Sequence, residues 1–205
     1  YHFGKYTAIV ARLNYLTSDK PYITLSAKEL AGSTSSPRTV IDFKWQVAQH
    51  KLRTFTDADW AGCKTTRKYT SGGAMMLGQH ALKTWSKTQS LLALSSRESK
   101  SYAAPNASAE GLGLMSLLRD FGYEVKGEVL GDASAALGVI YRRRPGRPRH
   151  IDSGLLWTQQ IAAETRLQYS NVRGTIHPAD LMTKHLTAET NDDHCARLNV
   201  HVAKG

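Results

Sequence analysis

The hydrophobic period of this chain changes at Leu52, and that change restricts the available folds more than any other feature. Leu52-Arg53-Thr54-Phe55-Thr56-Asp57 alternates with period two, as a strand does. Ser71-Gly72-Gly73-Ala74-Met75-Met76-Leu77 reads as a second strand, and Ala81-Leu82-Lys83-Thr84-Trp85, after a short turn at Gly78, as a third. Strands joined this closely must run antiparallel. A long helical zone follows, Leu92 to Phe121, rich in Ala and Leu and stopped by Gly122, and then a strand from Glu124 to Leu130. A crossover of that length makes the fourth strand parallel to a neighbour. Ser134 to Tyr141 reads as a short Ala-rich helix, Ile151 to Thr165 as an amphipathic helix, and Leu167 to Val172 as the last strand. Pro178 opens a final helix, so the predicted order is βββαβαβα.

Upstream of Leu52 the spacing is helical at Ala8 to Leu16, at Ser26 to Ala31 and from Val40 to Leu52. The expected organisation is a small helical segment over 1–50, an α/β (α+β) domain over 51–198 and a tail over 199–205. A chain of 205 residues suits one full domain plus a fragment. It begins at Tyr1 with no charged, apolar leader behind it, so a piece of a longer polypeptide is expected.

Lys and Arg number 27 against 17 Asp and Glu, a formal net charge of +10. That excess favours a polyanionic partner, nucleic acid first, with a merely soluble basic domain as the alternative that charge alone leaves open. No apolar run is long enough to span a bilayer, so no membrane partner is expected. Cys63 and Cys195 lack C-x-x-C spacing and offer no disulfide framework, which fits a reducing, intracellular setting.

Against this basic background three acidic motifs stand out, each at the end of a different element: Phe55-Thr56-Asp57-Ala58-Asp59-Trp60, Leu130-Gly131-Asp132-Ala133-Ser134 and His177-Pro178-Ala179-Asp180-Leu181. Any one aspartate alone is an ordinary strand end or helix cap. Together, Asp57, Asp132 and Asp180 are placed to converge at one sheet edge. Like charges brought that close repel unless a cation neutralises them, which points to Mg²⁺ or Mn²⁺ held by carboxylate oxygens.

With these motifs in order, the chain resembles the ribonuclease H domain of copia-type retrotransposon polyproteins. The resemblance rests on Thr56-Asp57-Ala58-Asp59-Trp60-Ala61-Gly62, Tyr69-Thr70-Ser71-Gly72-Gly73, Trp85-Ser86-Lys87-Thr88-Gln89, Ala93-Leu94-Ser95-Ser96, Gly131-Asp132-Ala133-Ser134, Arg149-His150-Ile151-Asp152 and Ala179-Asp180-Leu181-Met182-Thr183-Lys184. It covers about residues 50 to 198. Residues 1–50 are similar, more weakly, to the thumb and connection that end the reverse transcriptase region, through Ala11-Arg12-Leu13-Asn14-Tyr15-Leu16 and Asp19-Lys20-Pro21. The resemblance implies a five-stranded mixed sheet flanked by helices. It also implies metal-assisted hydrolysis of the RNA strand of an RNA–DNA hybrid, in company with the rest of a polyprotein that includes reverse transcriptase.

In that family four acids carry the reaction. Asp57, Asp132 and Asp180 match three of them, and the family takes the remaining Glu from the first long helix. Here the chain departs: Glu98 stands at the first acidic position after Ala93-Leu94-Ser95-Ser96, but Lys100 stands where the ligand belongs. An ammonium cannot ligate Mg²⁺ and opposes its binding. Glu98 substitutes only after a register shift, because helical residues two apart point in different directions. Pro105 interrupts the same helix. Both departures are what drift in a retired element copy would leave.

Two readings of His150 stand side by side: assistance in product release, as the resemblance implies, and positioning of the helix that follows. Arg142, Arg143, Arg144, Arg147 and Arg149, broken by Pro145-Gly146, form an extended basic loop suited to phosphates, with an AT-hook-like Pro145-Gly146-Arg147-Pro148-Arg149 as an alternative. Trp60, Trp85 and Trp157 are expected in packing, with Trp85, Lys87 and Gln89 as a possible flank of a hybrid groove. The competing function is a non-catalytic nucleic-acid-binding module that uses the Arg142–Arg149 loop. Either would act inside the cell, in a cytoplasmic particle or the nucleus.

Overall fold

The computed structural model describes residues 39–59, 70–88, 96–132, 134–142, 153–184 and 186–202. Its centre is a five-stranded sheet of β2 (Lys51–Asp59), β3 (Thr70–Leu77), β4 (His80–Thr88), β5 (Lys126–Gly131) and β6 (Leu167–Asn171), in the order β4-β3-β2-β5-β6. β3 runs antiparallel to both β2 and β4, whereas β5 joins parallel to β2, and β6 parallel to β5, through crossovers. The sheet is therefore mixed, as the spacing of its segments predicts.

Among the described residues four α-helices accompany it: α1 (Ser96–Asp120), α2 (Ser134–Ile140), α3 (Ser153–Ala163) and α4 (Ala188–Arg197). α1 buries Ala103, Ala104, Ala107, Ser108, Gly111, Leu114 and Leu118, a stripe of mostly small side chains at helical spacing. Small residues allow close approach: a Cβ on Gly111 would lie 3.2 Å from Thr54 Oγ1 of β2. The helix stops at Gly122, whose φ of 76° is the left-handed conformation that glycine adopts without steric cost, with Tyr123 N–H donating back to Leu118 O at 2.9 Å.

Both faces of the sheet are covered, so β3 is buried from Ser71 to Leu77 rather than on alternate residues. Met75 and Leu77 pack with Leu52, Leu114, Leu118, Ile140 and Ile161 beneath the helices, while Ala74 and Met76 pack with Phe55, Val172, Ala179, Met182 and Leu198 on the opposite face. That second face is closed by two 3-10 turns, η1 (Gly174–Ile176) and η2 (Pro178–Met182), and by the segment around α4.

Three expectations are corrected. Pro178 opens only a short 3-10 helix, η2, and the α-helix begins at Ala188, capped by the Thr187 hydroxyl, which accepts from Thr190 N–H. The helical period of Val40 to Leu52 does not produce a helix. Thr39–Ile41 forms β1, which pairs antiparallel with β7 (Val200–Val202), a strand lying in the expected tail. The chain between β1 and β2 straps across the β3–β4 turn, where Gln46 Nε2 donates to Leu77 O at 2.8 Å and Gln46 Oε1 accepts from Gln79 N–H at 2.8 Å. Specific tertiary hydrogen bonds thus override a local period. The helical segments expected before residue 39 lie outside the described residues.

Candidate active site

Register brings the first two acids together. β2 and β5 pair parallel with Phe55 opposite Leu130, so two residues further along both chains Asp57 and Asp132 stand level at the carboxyl end of the sheet. Asp180 arrives from η2, which lies on β3 because Gly72, the cross-strand partner of Asp57, has no side chain. A Cβ there would come within 2.5 Å of Met182 Cβ and 2.8 Å of Thr183 Cγ2. Ser86 Oγ of β4 donates to Met182 O at 2.8 Å and holds the turn in place.

The three carboxylates are bridged by two ammonium groups. Lys100 Nζ donates to both oxygens of Asp132 at 2.5 Å and lies 3.4 Å from Asp57 Oδ1. Lys184 Nζ lies 2.9 Å from Asp180 Oδ1 and 3.3 Å from Asp57 Oδ2. Asp57, whose side chain is fully buried, also accepts from the Thr183 hydroxyl at 2.6 Å. Lys100 reaches this position because it is three and four residues before Ala103 and Ala104, on the stripe of α1 that faces the sheet.

Burial raises the energy of every ionised acid here, and the partners decide the outcome. For Asp57 the burial is outweighed by the Thr183 hydroxyl, Lys184 and Lys100, which hold its carboxyl below the ordinary carboxylate range. Asp180 is pushed upward, by burial first and by the Asp57 charge, with Lys184 opposing. Burial alone would lower Lys184, but Asp57 and Asp180 raise it, so it stays charged. His177 is buried against Phe55 in an edge-to-face contact, its Nδ1 3.8 Å from Asp180 Oδ1, and burial holds its imidazole below the usual value.

The metals implied by the resemblance do not fit this donor set. Among the described residues no group of three or more His, Cys, Asp or Glu side chains is arranged to hold a metal ion. The positions between the carboxylates are taken by Lys100 and Lys184, and a cation entering there would face two positive charges.

The remaining sequence candidates are placed as follows. Glu98 lies in α1, two residues before Lys100, and its side chain is outside the described set, as are Gln89, Arg143, Arg144, Arg147, Arg149 and His150. Arg142 is exposed at the end of α2. Lys87 is exposed on β4, 3.8 Å from Glu110 of α1. Trp85 is buried beneath Gly73 rather than open for base stacking. Sequence reasoning missed the roles of Thr183, Lys184 and His177. The i,i+4 spacing of Asp180 and Lys184 was the one local signal available.

No family profile matches the chain. Over 135 residues it is 29% identical to the retrovirus-related Pol polyprotein from transposon TNT 1-94 of Nicotiana tabacum, a match covering 65% of this chain and 10% of that polyprotein. Over 136 residues it is 27% identical to the corresponding polyprotein from transposon RE1 of Arabidopsis thaliana, covering 58% of this chain and 9% of the relative. The chain thus spans about a tenth of the length of these curated relatives. In three dimensions it is similar to LC11-RNase H1, isolated from compost, with a TM-score of 0.52 and 14% identity over 66% of this chain and 94% of that one. Among the described residues no helix is long and apolar enough to cross a membrane. With the mixed sheet and the order of its strands, these likenesses show a ribonuclease H-like fold in a chain similar to part of the retrovirus-related Pol polyproteins of transposons.

Proposed function

We propose that this domain binds RNA–DNA hybrid as part of a retrotransposon polyprotein and that its capacity to hydrolyse the RNA strand is impaired. The observation that carries the reading is the Lys100 ammonium between Asp132 and Asp57, on the helix where the resemblance implies a carboxylate. The fold, the polyprotein relatives and the +10 charge support hybrid binding, because phosphate contacts need many dispersed cations and no intact acid cluster. Reverse transcriptase, joined in the same polyprotein, is the proposed supplier of the hybrid, in a cytoplasmic particle or the nucleus.

The test is a labelled RNA–DNA hybrid presented to the whole chain with Mg²⁺ or Mn²⁺. Binding without appreciable cleavage is expected, with cleavage appearing in Lys100→Glu. Robust cleavage by the unaltered protein would overturn the impairment. Failure to prefer hybrid over free single strands would overturn the binding reading.

A further inference from the structure

We propose that Lys100 and Lys184 are built-in cations which turn the acid cluster into a metal-independent structural clasp, so that the folded domain neither holds nor needs a divalent ion at this site. The inference deepens the proposed function and rests on reading Asp57, Asp132 and Asp180 as the place where metals are implied. Each ammonium spans two carboxylates, as a bridging ion would: Lys100 joins Asp132 to Asp57, and Lys184 joins Asp57 to Asp180. Two positive charges meet three negative ones, leaving one net negative charge where three unpaired carboxylates would strongly repel one another. The side chain of Asp57 is fully excluded from solvent and that of Lys100 is only 19% exposed, so water screens the pair weakly.

A tethered ammonium is present whenever the chain is folded, whereas a free metal must be captured from solution and would have to displace it. The clasp joins parts of the chain distant in sequence: β2 through Asp57, the start of α1 through Lys100, the residue after β5 through Asp132, and η2 with the residues just after it through Asp180 and Lys184. Thr183 adds a hydroxyl to the same knot by donating to Asp57 Oδ2.

The test uses the protein alone, without nucleic acid, so its outcome is separate from that of hybrid binding. Thermal unfolding is followed in EDTA, Mg²⁺ and Mn²⁺, and Mn²⁺ broadening of the backbone amide signals of Ala58 and Gly131 reports whether an ion sits beside the acids. For the unaltered chain we expect the same Tm in all three conditions and no selective broadening. Lys100→Glu should lower the Tm in EDTA and recover several degrees in Mn²⁺, with broadening at both amides. Lys100→Gln, which removes the charge while keeping a long polar side chain, should lower the Tm and gain Mn²⁺ broadening even if the Glu variant fails to fold. Selective Mn²⁺ broadening in the unaltered chain would overturn the proposal, as would a Lys100→Gln variant as stable as the parent in EDTA.

Discussion

His194 is buried, and its Nδ1 has no hydrogen-bond partner among the described residues. Burial holds this imidazole below its ordinary value of 6.5, against the upward pull of Asp180 and with a smaller downward push from Arg197. His177 is lowered for the same first cause. A lowered folded-state value means that the unfolded chain binds more protons, so the stability contribution is fully present above pH 6.5 and is lost as pH falls. Asp57, also lowered, acts with the same sign in a more acidic window, whereas Asp180, raised, acts with the opposite sign there. The Tm should therefore decline as pH falls from about 7 to about 5, and His194→Gln should make that decline shallower. A pH series of thermal melts checks it, and a flat curve for the unaltered protein would show that the imidazoles are not held neutral. The three aspartates were legible in the sequence because each ends a recognisable element, but neither histidine was, because burial is not written in a residue's neighbours.

Glycine separates contact from conformation at the scale of elements. Gly72 of β3 lies against Met182 of η2 and the capping residue Thr183, while Gly113 of α1 has open space where a Cβ would stand. Gly72→Ala should force β3 and η2 apart and cost about 1–3 kcal/mol. Gly113→Ala should stabilise by about 0.5–1 kcal/mol, because the helix interior favours alanine and nothing is displaced. Denaturant unfolding of both variants, the same substitution with opposite signs, tests the geometry of the η2 turn. Pro105 lies inside α1, where its ring removes a backbone donor and crowds the preceding turn. Pro105→Ala should raise stability by up to about 3 kcal/mol in the same assay while leaving the Lys100 ion pairs in place. The Gly72-Gly73 pair was readable as part of a strand. The reason at Gly72 was not, because Met182 and Thr183 arrive from a turn more than a hundred residues later, whereas the side chain over Gly73 is Trp85 of the next strand.

For the molecule as a whole, the net charge of +10 sets the expected response to salt. Hybrid affinity should fall linearly on a log–log plot as salt rises, with a slope of about −0.9 for each phosphate neutralised on a duplex. Replacing Arg142, Arg143, Arg144, Arg147 and Arg149 with Ser should make that slope shallower if the loop touches phosphates, and anisotropy titrations at several salt concentrations measure it. The resemblance implied the five-stranded mixed sheet as a whole, and sequence alone determined its five strand segments, the antiparallel run of the first three, the parallel crossover to the fourth, and the placing of Asp57, Asp132 and Asp180 to converge at one edge. These follow from hydrophobic period, connection length and the ends of elements, all of which are local. Only the tertiary structure decided that β1 pairs with β7 from opposite ends of the described chain, and that the last helix divides into η2 and α4. It also decided that Lys100 is not merely a charge opposed to metal but a partner of two acids. Those outcomes depend on how far a side chain reaches and what it meets there, and that is settled by packing between segments that the sequence holds far apart.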